Sequence, residues 1–243
     1  MQRYFANDRK DNLFILNDSD LYHIRVVMRM KENEHVEVVY NEHVYLCCIH
    51  FVNNDVNIEL VEELKIDLNR EPYVVLIMPF LKETKMDLIL QKATELGVDE
   101  ILLTEFERSI VKIEEKKKES KLVRWSRIMK EASEQSMRIN IPNISIVNKK
   151  EVLKLDGLKI LCSTEEKQNN IKNVLKNHHN YAKILIVIGP EGGISPKEEE
   201  EYADNGFIKT TLGNQILRVE TVPLFVLSNI RYENMEWFYG RYI

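Results

Sequence analysis

From Ile184 to Ile188 every residue is aliphatic, and the run stops in Gly189-Pro190-Glu191-Gly192-Gly193-Ile194, with Ser195-Pro196 behind it. A segment apolar at every position has no face to give to water. It needs cover on both sides, the condition met inside a parallel sheet. The glycines that follow let backbone approach a ligand without interference from a Cβ. Ser195 then has the character of a helix N-cap, Pro196 suits the first helical position, and Glu198 completes a capping box. Strand, glycine-rich turn and helix amino end together form the place where open α/β sheets bind ligands. A second stretch, Leu212-Gly213-Asn214-Gln215-Ile216-Leu217-Arg218-Val219-Glu220-Thr221, follows another short strand and precedes another helix. Two such loops predict one pocket with two walls. The competing reading of the first loop is an ordinary tight turn. It matches neither the dinucleotide-binding nor the P-loop fingerprint.

The rest of the chain supplies the layers this sheet needs. From Pro72 onward, strands alternate with helices. Tyr73–Met78 is a second run buried on both faces, and Met86, Ile89, Leu90, Ala93 and Leu96 recur at helical spacing up to Gly97. Ile101–Leu103 reads as a strand, residues 122–137 as a helix, and Lys159–Ser163 as a strand followed by a helix near 169–178. Pro196–Asn205 reads as a helix ending at Gly206, Ile208–Leu212 as a strand, and Pro223–Tyr232 as an apolar last helix. This alternation predicts an α/β domain with a mostly parallel sheet.

Ahead of it, with the boundary near Asn69–Pro72, lies a β-rich module. Val36–Tyr40 and Val44–Ile49 flank Asn41-Glu42 as a hairpin, and Val56–Val61 follows a turn at Asn53-Asn54-Asp55. Strands this short predict a compact barrel. Arg25 and Arg29, four apart in His23–Met30, share a face if that stretch is helical.

In the 122–137 helix, Trp125, Ile128, Met129, Ala132 and Ser136 form a core stripe. Glu131, Gln135 and Arg138, with Arg124 and Arg127, border it as either an ordinary polar edge or a working face. The 114–121 charge run reads as a solvated helix start. The net charge of −5 argues against a nucleic-acid partner in sum, yet 116–138 is locally basic, and an RNA reader needs only a basic face. No apolar run approaches the roughly 20 residues of a membrane span. Cys47, Cys48 and Cys162 form no C-x-x-C and the six histidines are scattered. The expectation is therefore a cytosolic chain with reduced thiols and no metal site.

The two glycine loops closely resemble those of the RsmE family, bacterial 16S ribosomal RNA uridine N3-methyltransferases of the SPOUT superfamily. Lys92-Ala93-Thr94-Glu95-Leu96-Gly97-Val98, Glu107-Arg108-Ser109, and Glu131-Ala132-Ser133-Glu134-Gln135-Ser136 with Arg138 and Ile141-Pro142 agree as well. So do Arg3-Tyr4-Phe5 and the β module, so the resemblance spans the chain. It implies residues 1–70 as a PUA-like β-barrel that binds RNA. Residues 71–243 become a SPOUT methyltransferase domain, a parallel sheet with a trefoil knot. It also implies a homodimer acting on 16S ribosomal RNA or the small subunit. One departure is Val222-Pro223-Leu224-Phe225, where many members have small residues. Pro223 suits a first helical turn, so the pocket is expected to persist with altered packing.

By the same resemblance, S-adenosylmethionine is held by Ile188, Gly189, Pro190, Glu191, Gly192 and Gly193, and by Leu212, Gly213, Ile216, Leu217, Arg218 and Thr221, while Thr164, ending the neighbouring strand, is placed to line the same pocket. Methyl transfer from a sulfonium needs alignment and a place for the N3 proton, and no metal. Arg218 is the first choice for stabilising negative charge on the uracil carbonyls, because a guanidinium stays charged. Glu131 or Glu220 would accept the proton, Glu220 having the alternative of a structural role at a helix end. Gln135 and Arg138 would hold a phosphate or the extruded base. Lys85, Lys92, Arg108, Arg124 and Arg127 are backbone-contact candidates. Two other readings stay open: a non-catalytic RNA-binding module with the knotted domain as dimer scaffold, and a phosphate site at the Gly-Gly loop.

Overall fold

Residues 1–53, 55–66, 72–178 and 181–234 are described by a computed structural model. Asn54 of the second expected turn, Asn69–Glu71 at the expected boundary, and His179 lie outside the described residues. The chain divides into two compact units, Met1–Asn69 with Glu131–Ile141, and Arg70–Lys130 with Pro142–Ile243.

The first unit is built on period-two alternation. In β4 (His35–Tyr40), Val36 and Val38 enter one core, while Val39 on the other face packs with Phe5 and Val44 in a second. Asn41 and Glu42, both at positive φ, turn β4 into β5 (His43–Val52). Asn53, also at positive φ, leads into β6 (Asp55–Leu64). Three short strands absent from the sequence expectation, β1 (Arg3–Phe5), β2 (Asp8–Lys10) and β3 (Leu13–Ile15), complete a six-stranded sheet. Its order is β1-β4-β5-β6-β3-β2, with β1 parallel to β4 and the other pairs antiparallel.

Helix α1 (Asp18–Tyr22), capped by the Asn17 side chain, runs into a π-helical turn at His23–Val27. That turn buries Ile24 against Tyr4, Val36, Cys47 and Ile58. Arg29 has φ +52°, outside the turn, so the expected helical face shared by Arg25 and Arg29 does not form. Cys47 is fully buried, and burial pushes its thiol up to about 12.

Arg3 is the polar centre of this unit, only 7% exposed. Its Nε donates to Glu37 Oε2 at 2.9 Å, and its Nη1 donates to the carbonyls of Met137 and Arg138. Breaking a buried pair strands the remaining charge, at a cost of about 3 kcal/mol. Arg3→Met should therefore lower the melting temperature by several degrees, measured by calorimetry, with Arg3→Met/Glu37→Leu partly restoring it.

The second unit holds six strands, all parallel: β7 (Tyr73–Met78), β8 (Glu100–Leu103), β9 (Asn143–Ile146), β10 (Leu158–Cys162), β11 (Lys183–Val187) and β12 (Ile208–Thr210). Their order is β12-β10-β11-β7-β8-β9. Strand β11 sits between β10 and β7, pairing Ile186 with both Ile160 and Leu76. Its central position explains why its residues are apolar on both faces.

Helices α2 (Glu83–Glu95), α3 (Glu115–Gln135), α4 (Lys149–Leu153), α5 (Ile171–Asn177), α6 (Pro196–Asp204) and α7 (Thr221–Asn234) connect or follow the strands. In α2, Met86, Ile89, Leu90 and Ala93 are buried, and Gly97 at φ +92° terminates the turn after it. Helix α3 starts at Glu115, so the charge run is indeed its first turns. Its last turn, from Glu131, belongs to the first unit. Among the described residues no helix is long and apolar enough to cross a membrane, and no group of three or more His, Cys, Asp and Glu could hold a metal ion.

Candidate active site

Because the second sheet is parallel throughout, its strands all end at one edge, and the segments after β11, β10 and β12 emerge there from three neighbouring strands. The loop after β11 begins where the Ile188 amide donates to Ile77 O at 2.9 Å. Pro190–Gly193 then closes a turn, with Gly193 N donating to Pro190 O at 2.9 Å and Gly193 at φ +73°. A Cβ on Gly189 would lie 2.5 Å from Ile194 Cγ1, so the chain passes too close for any side chain. At Gly192 a Cβ would meet Arg108 Cβ at 3.3 Å and Arg108 O at 3.4 Å. Arg108 also donates to Gly192 O at 3.2 Å, fixing this loop against the segment that follows β8.

The expected capping box is present. The Glu198 amide donates to Ser195 Oγ, and Glu198 Oε2 accepts from the Ser195 amide at 3.3 Å. Glu198 Oε1 accepts from the Glu107 amide at 3.0 Å. The amino end of α6 is thus served by a carboxylate of its own chain, which removes the attraction for phosphate.

In the loop after β12, the Thr211 hydroxyl donates to Gly213 O at 3.3 Å and accepts from Gly213 N at 3.4 Å. Gly213 has φ +119°, and nothing lies within 4 Å of where its Cβ would be. Ile216 is 84% exposed, an apolar side chain with no cover from this chain. The Arg218 side chain is exposed, while its carbonyl accepts from the Thr221 and Val222 amides at 2.8 and 3.1 Å and so starts α7. Backbone is fixed here and side chains are left open.

The loop after β10 is tied to it. Ser163 N donates to Thr210 O, Thr211 N to Asn169 O at 2.8 Å, and Ile171 N to Thr211 O. Glu166 accepts the amides of Lys167, Gln168 and Asn169, and these bonds hold its carboxyl below the usual range. Thr164 is exposed beside them.

One lysine joins two of the loops. Lys85 Nζ lies 3.0 Å from Glu191 Oε1 and 3.3 Å from Glu220 Oε2. Its pKa is raised by the Glu191 bond foremost, against some desolvation, with Glu220 adding to it. Glu220 is held below the usual carboxylate range by its own backbone amide first and by Lys85. That makes it a weaker proton acceptor than an ordinary glutamate.

Two more of the expected RNA-contact cations are engaged within the chain: Arg124 with Asp87 at 2.8 Å and Lys92 with Glu95 at 2.9 Å. The structure groups Thr164, Ile188–Gly193, Leu212, Gly213, Ile216, Leu217, Arg218 and Thr221 in the second unit. Glu131, Gln135 and Arg138 fall in the 131–141 segment of the first, where Arg138 donates to Asn140 Oδ1 at 2.9 Å. Sequence reasoning missed Glu166 and the joining role of Lys85. An open cleft of about 770 Å³ between the 105–112 segment and α6 is lined by Lys112, Lys149, Lys197, Glu201 and Asp204, and contains none of the expected cofactor residues.

The RNA methyltransferase domain family matches residues 69–231. Ribosomal RNA small subunit methyltransferase E of Mesomycoplasma hyopneumoniae is 36% identical over 94% of this chain and 98% of its own length. The Bacillus subtilis protein of the same name is 32% identical over 96% and 97%. A solved structure of the Neisseria gonorrhoeae protein of that name, bound to S-adenosyl methionine, superposes with a TM-score of 0.84 at 27% identity, covering 96% of this chain and 97% of that one. With likeness of this extent running through both units, the chain belongs to the ribosomal RNA small subunit methyltransferase E family.

Proposed function

We propose that this chain transfers a methyl group from S-adenosylmethionine to N3 of a uridine in 16S ribosomal RNA. The observation that carries the reading is the convergence of three glycine- and hydroxyl-bearing loops on one sheet edge, in a chain whose solved relative holds that cofactor. The residues fit the group: Gly213 leaves open space, Ile216 offers an uncovered apolar surface, and the backbone of Ile188–Gly193 and Leu212–Leu217 offers polar groups beside it. Thr164 and Thr221 add exposed hydroxyls.

When bound, S-adenosylmethionine supplies an electrophilic methyl on a sulfonium. Arg218 supplies a guanidinium for the uracil oxygens, where negative charge gathers once N3 loses its proton. Glu220, already engaged with Lys85, holds the second loop rather than taking that proton. With Glu220 so engaged, the N3 proton goes to Glu131 or to water, and Gln135 and Arg138 hold a phosphate or the extruded base.

The six-stranded sheet of residues 1–70 supports a PUA-like RNA-binding barrel. The insertion of β11 between β10 and β7 supports a SPOUT domain with a trefoil knot over 71–243. Phe225 and Tyr232, apolar side chains exposed on α7, support a homodimer, and a ribosomal RNA target supports a cytosolic location. No observation favours a non-catalytic scaffold.

The test is incubation of the purified protein with small ribosomal subunits and methyl-labelled cofactor. Label recovered as N3-methyluridine in 16S RNA is the expected result. An intact protein that binds the cofactor yet leaves the subunit unlabelled would overturn the reading.

A further inference from the structure

Lys85 sits in the first turn of α2, where the helix dipole disfavours a cation. Glutamates or polar residues would serve that position better, so its occupant is not explained by the helix. Its ammonium instead lies within 3.3 Å of carboxylates from two separate loops, Glu191 of the turn after β11 and Glu220 at the end of the loop after β12. Without it, two like charges on separate loops would lose the cation they share, and their repulsion would spread the walls. Glu220 is itself fixed at the amino end of α7, so the clasp is anchored at both ends to helices, α2 and α7. All three side chains are only partly exposed, at 30%, 32% and 17%.

We propose that Lys85 is a positioning residue, which clasps the two loops at the spacing the cofactor requires through paired contacts to Glu191 and Glu220. The inference rests on these loops being the S-adenosylmethionine pocket. Lys85 touches neither substrate nor cofactor in this role; it acts through the carboxylates.

The experiment is calorimetric titration of the full chain with S-adenosylmethionine, alongside its thermal melting without ligand. Lys85→Met should weaken binding by roughly tenfold with little change in melting, since a partly exposed ion pair contributes little to global stability. Lys85→Arg should restore affinity to within about threefold, as it keeps charge and reach. Lys92→Met, which deletes the same charge from the same helix where it pairs with Glu95, should leave cofactor binding unchanged. Glu191→Gln added to Lys85→Met should cost less than the sum of the two single losses. Raising salt should weaken wild-type binding more than that of Lys85→Met, a difference that general destabilisation does not produce. Equal affinity of wild type and Lys85→Met, or a loss that Arg fails to rescue, overturns the clasp while leaving the pocket standing. A wild-type protein that binds no cofactor overturns the pocket, and the clasp with it.

Discussion

Arg218→Ala should reduce methyl transfer to the small subunit by about 10²–10³-fold, the usual consequence of removing a group that stabilises developing negative charge. The same variant should retain its fold and bind S-adenosylmethionine within a few-fold of wild type. This separation follows from how Arg218 is used. Its carbonyl holds the first turn of α7, and that contact survives truncation to alanine. Its guanidinium is exposed at the open loop, beside Glu220, whose own partner is Lys85. Single-turnover transfer measured beside a binding titration distinguishes the two effects. Arg218→Lys should lie between, because a lysine keeps the charge but not the planar fork. Full activity in Arg218→Ala would remove this residue from the chemistry.

Gly189→Ala carries the second large effect, this time on binding and stability together. The new Cβ would fall 2.5 Å from Ile194 Cγ1 and 3.2 Å from the Ile194 amide, against a buried side chain. Ile194 packs against Val187 and Tyr202 and cannot simply swing away. Overpacking of this kind costs about 1–3 kcal/mol, which for a chain of this size lowers melting by roughly 2–4 °C per kcal/mol. Displacing Ile194 also shifts the Pro190–Gly193 turn, so cofactor affinity should fall with the melting temperature. Adding Ile194→Val relieves the contact only if the Cγ1 branch is repacked, and Ile194→Ala removes it outright. Partial recovery of affinity in Gly189→Ala/Ile194→Ala would confirm the clash as the cause. Unchanged melting and affinity in Gly189→Ala would show that the turn has slack the distances deny.

What was readable in advance was local. The Ser195–Glu198 box, the helix stops at Gly97 and Gly206, and the apolar runs of β7 and β11 each depend on atoms a few residues apart, so the sequence carries them directly. The spacing of Arg25 and Arg29 misled, because a π-helical turn and a left-handed Arg29 replaced the expected helix. β9 and α4 are only four and five residues long and too brief to show a period. The site divides in the same way. Its loops were evident from their glycines, while their fastening was not. Lys85 meets Glu191 across 106 residues, and Asn169 meets Thr211 through backbone alone, a contact with no side-chain signature. A lysine such as Lys85 gives no hint in sequence of the carboxylates that folding brings to it.

The place of β11 in the sheet has a consequence for the birth of the protein. Its neighbour β7 leaves the ribosome more than a hundred residues earlier, with Leu76 destined for Ile186. Until then the nascent chain carries a fully apolar strand with one edge unpaired, the condition most prone to association with other chains. The middle of the sheet therefore closes only after β7 to β10 have been made, and the edge strand β12 is added last. Both glycine loops come later still, so a nascent chain stopped before β11 has neither of them.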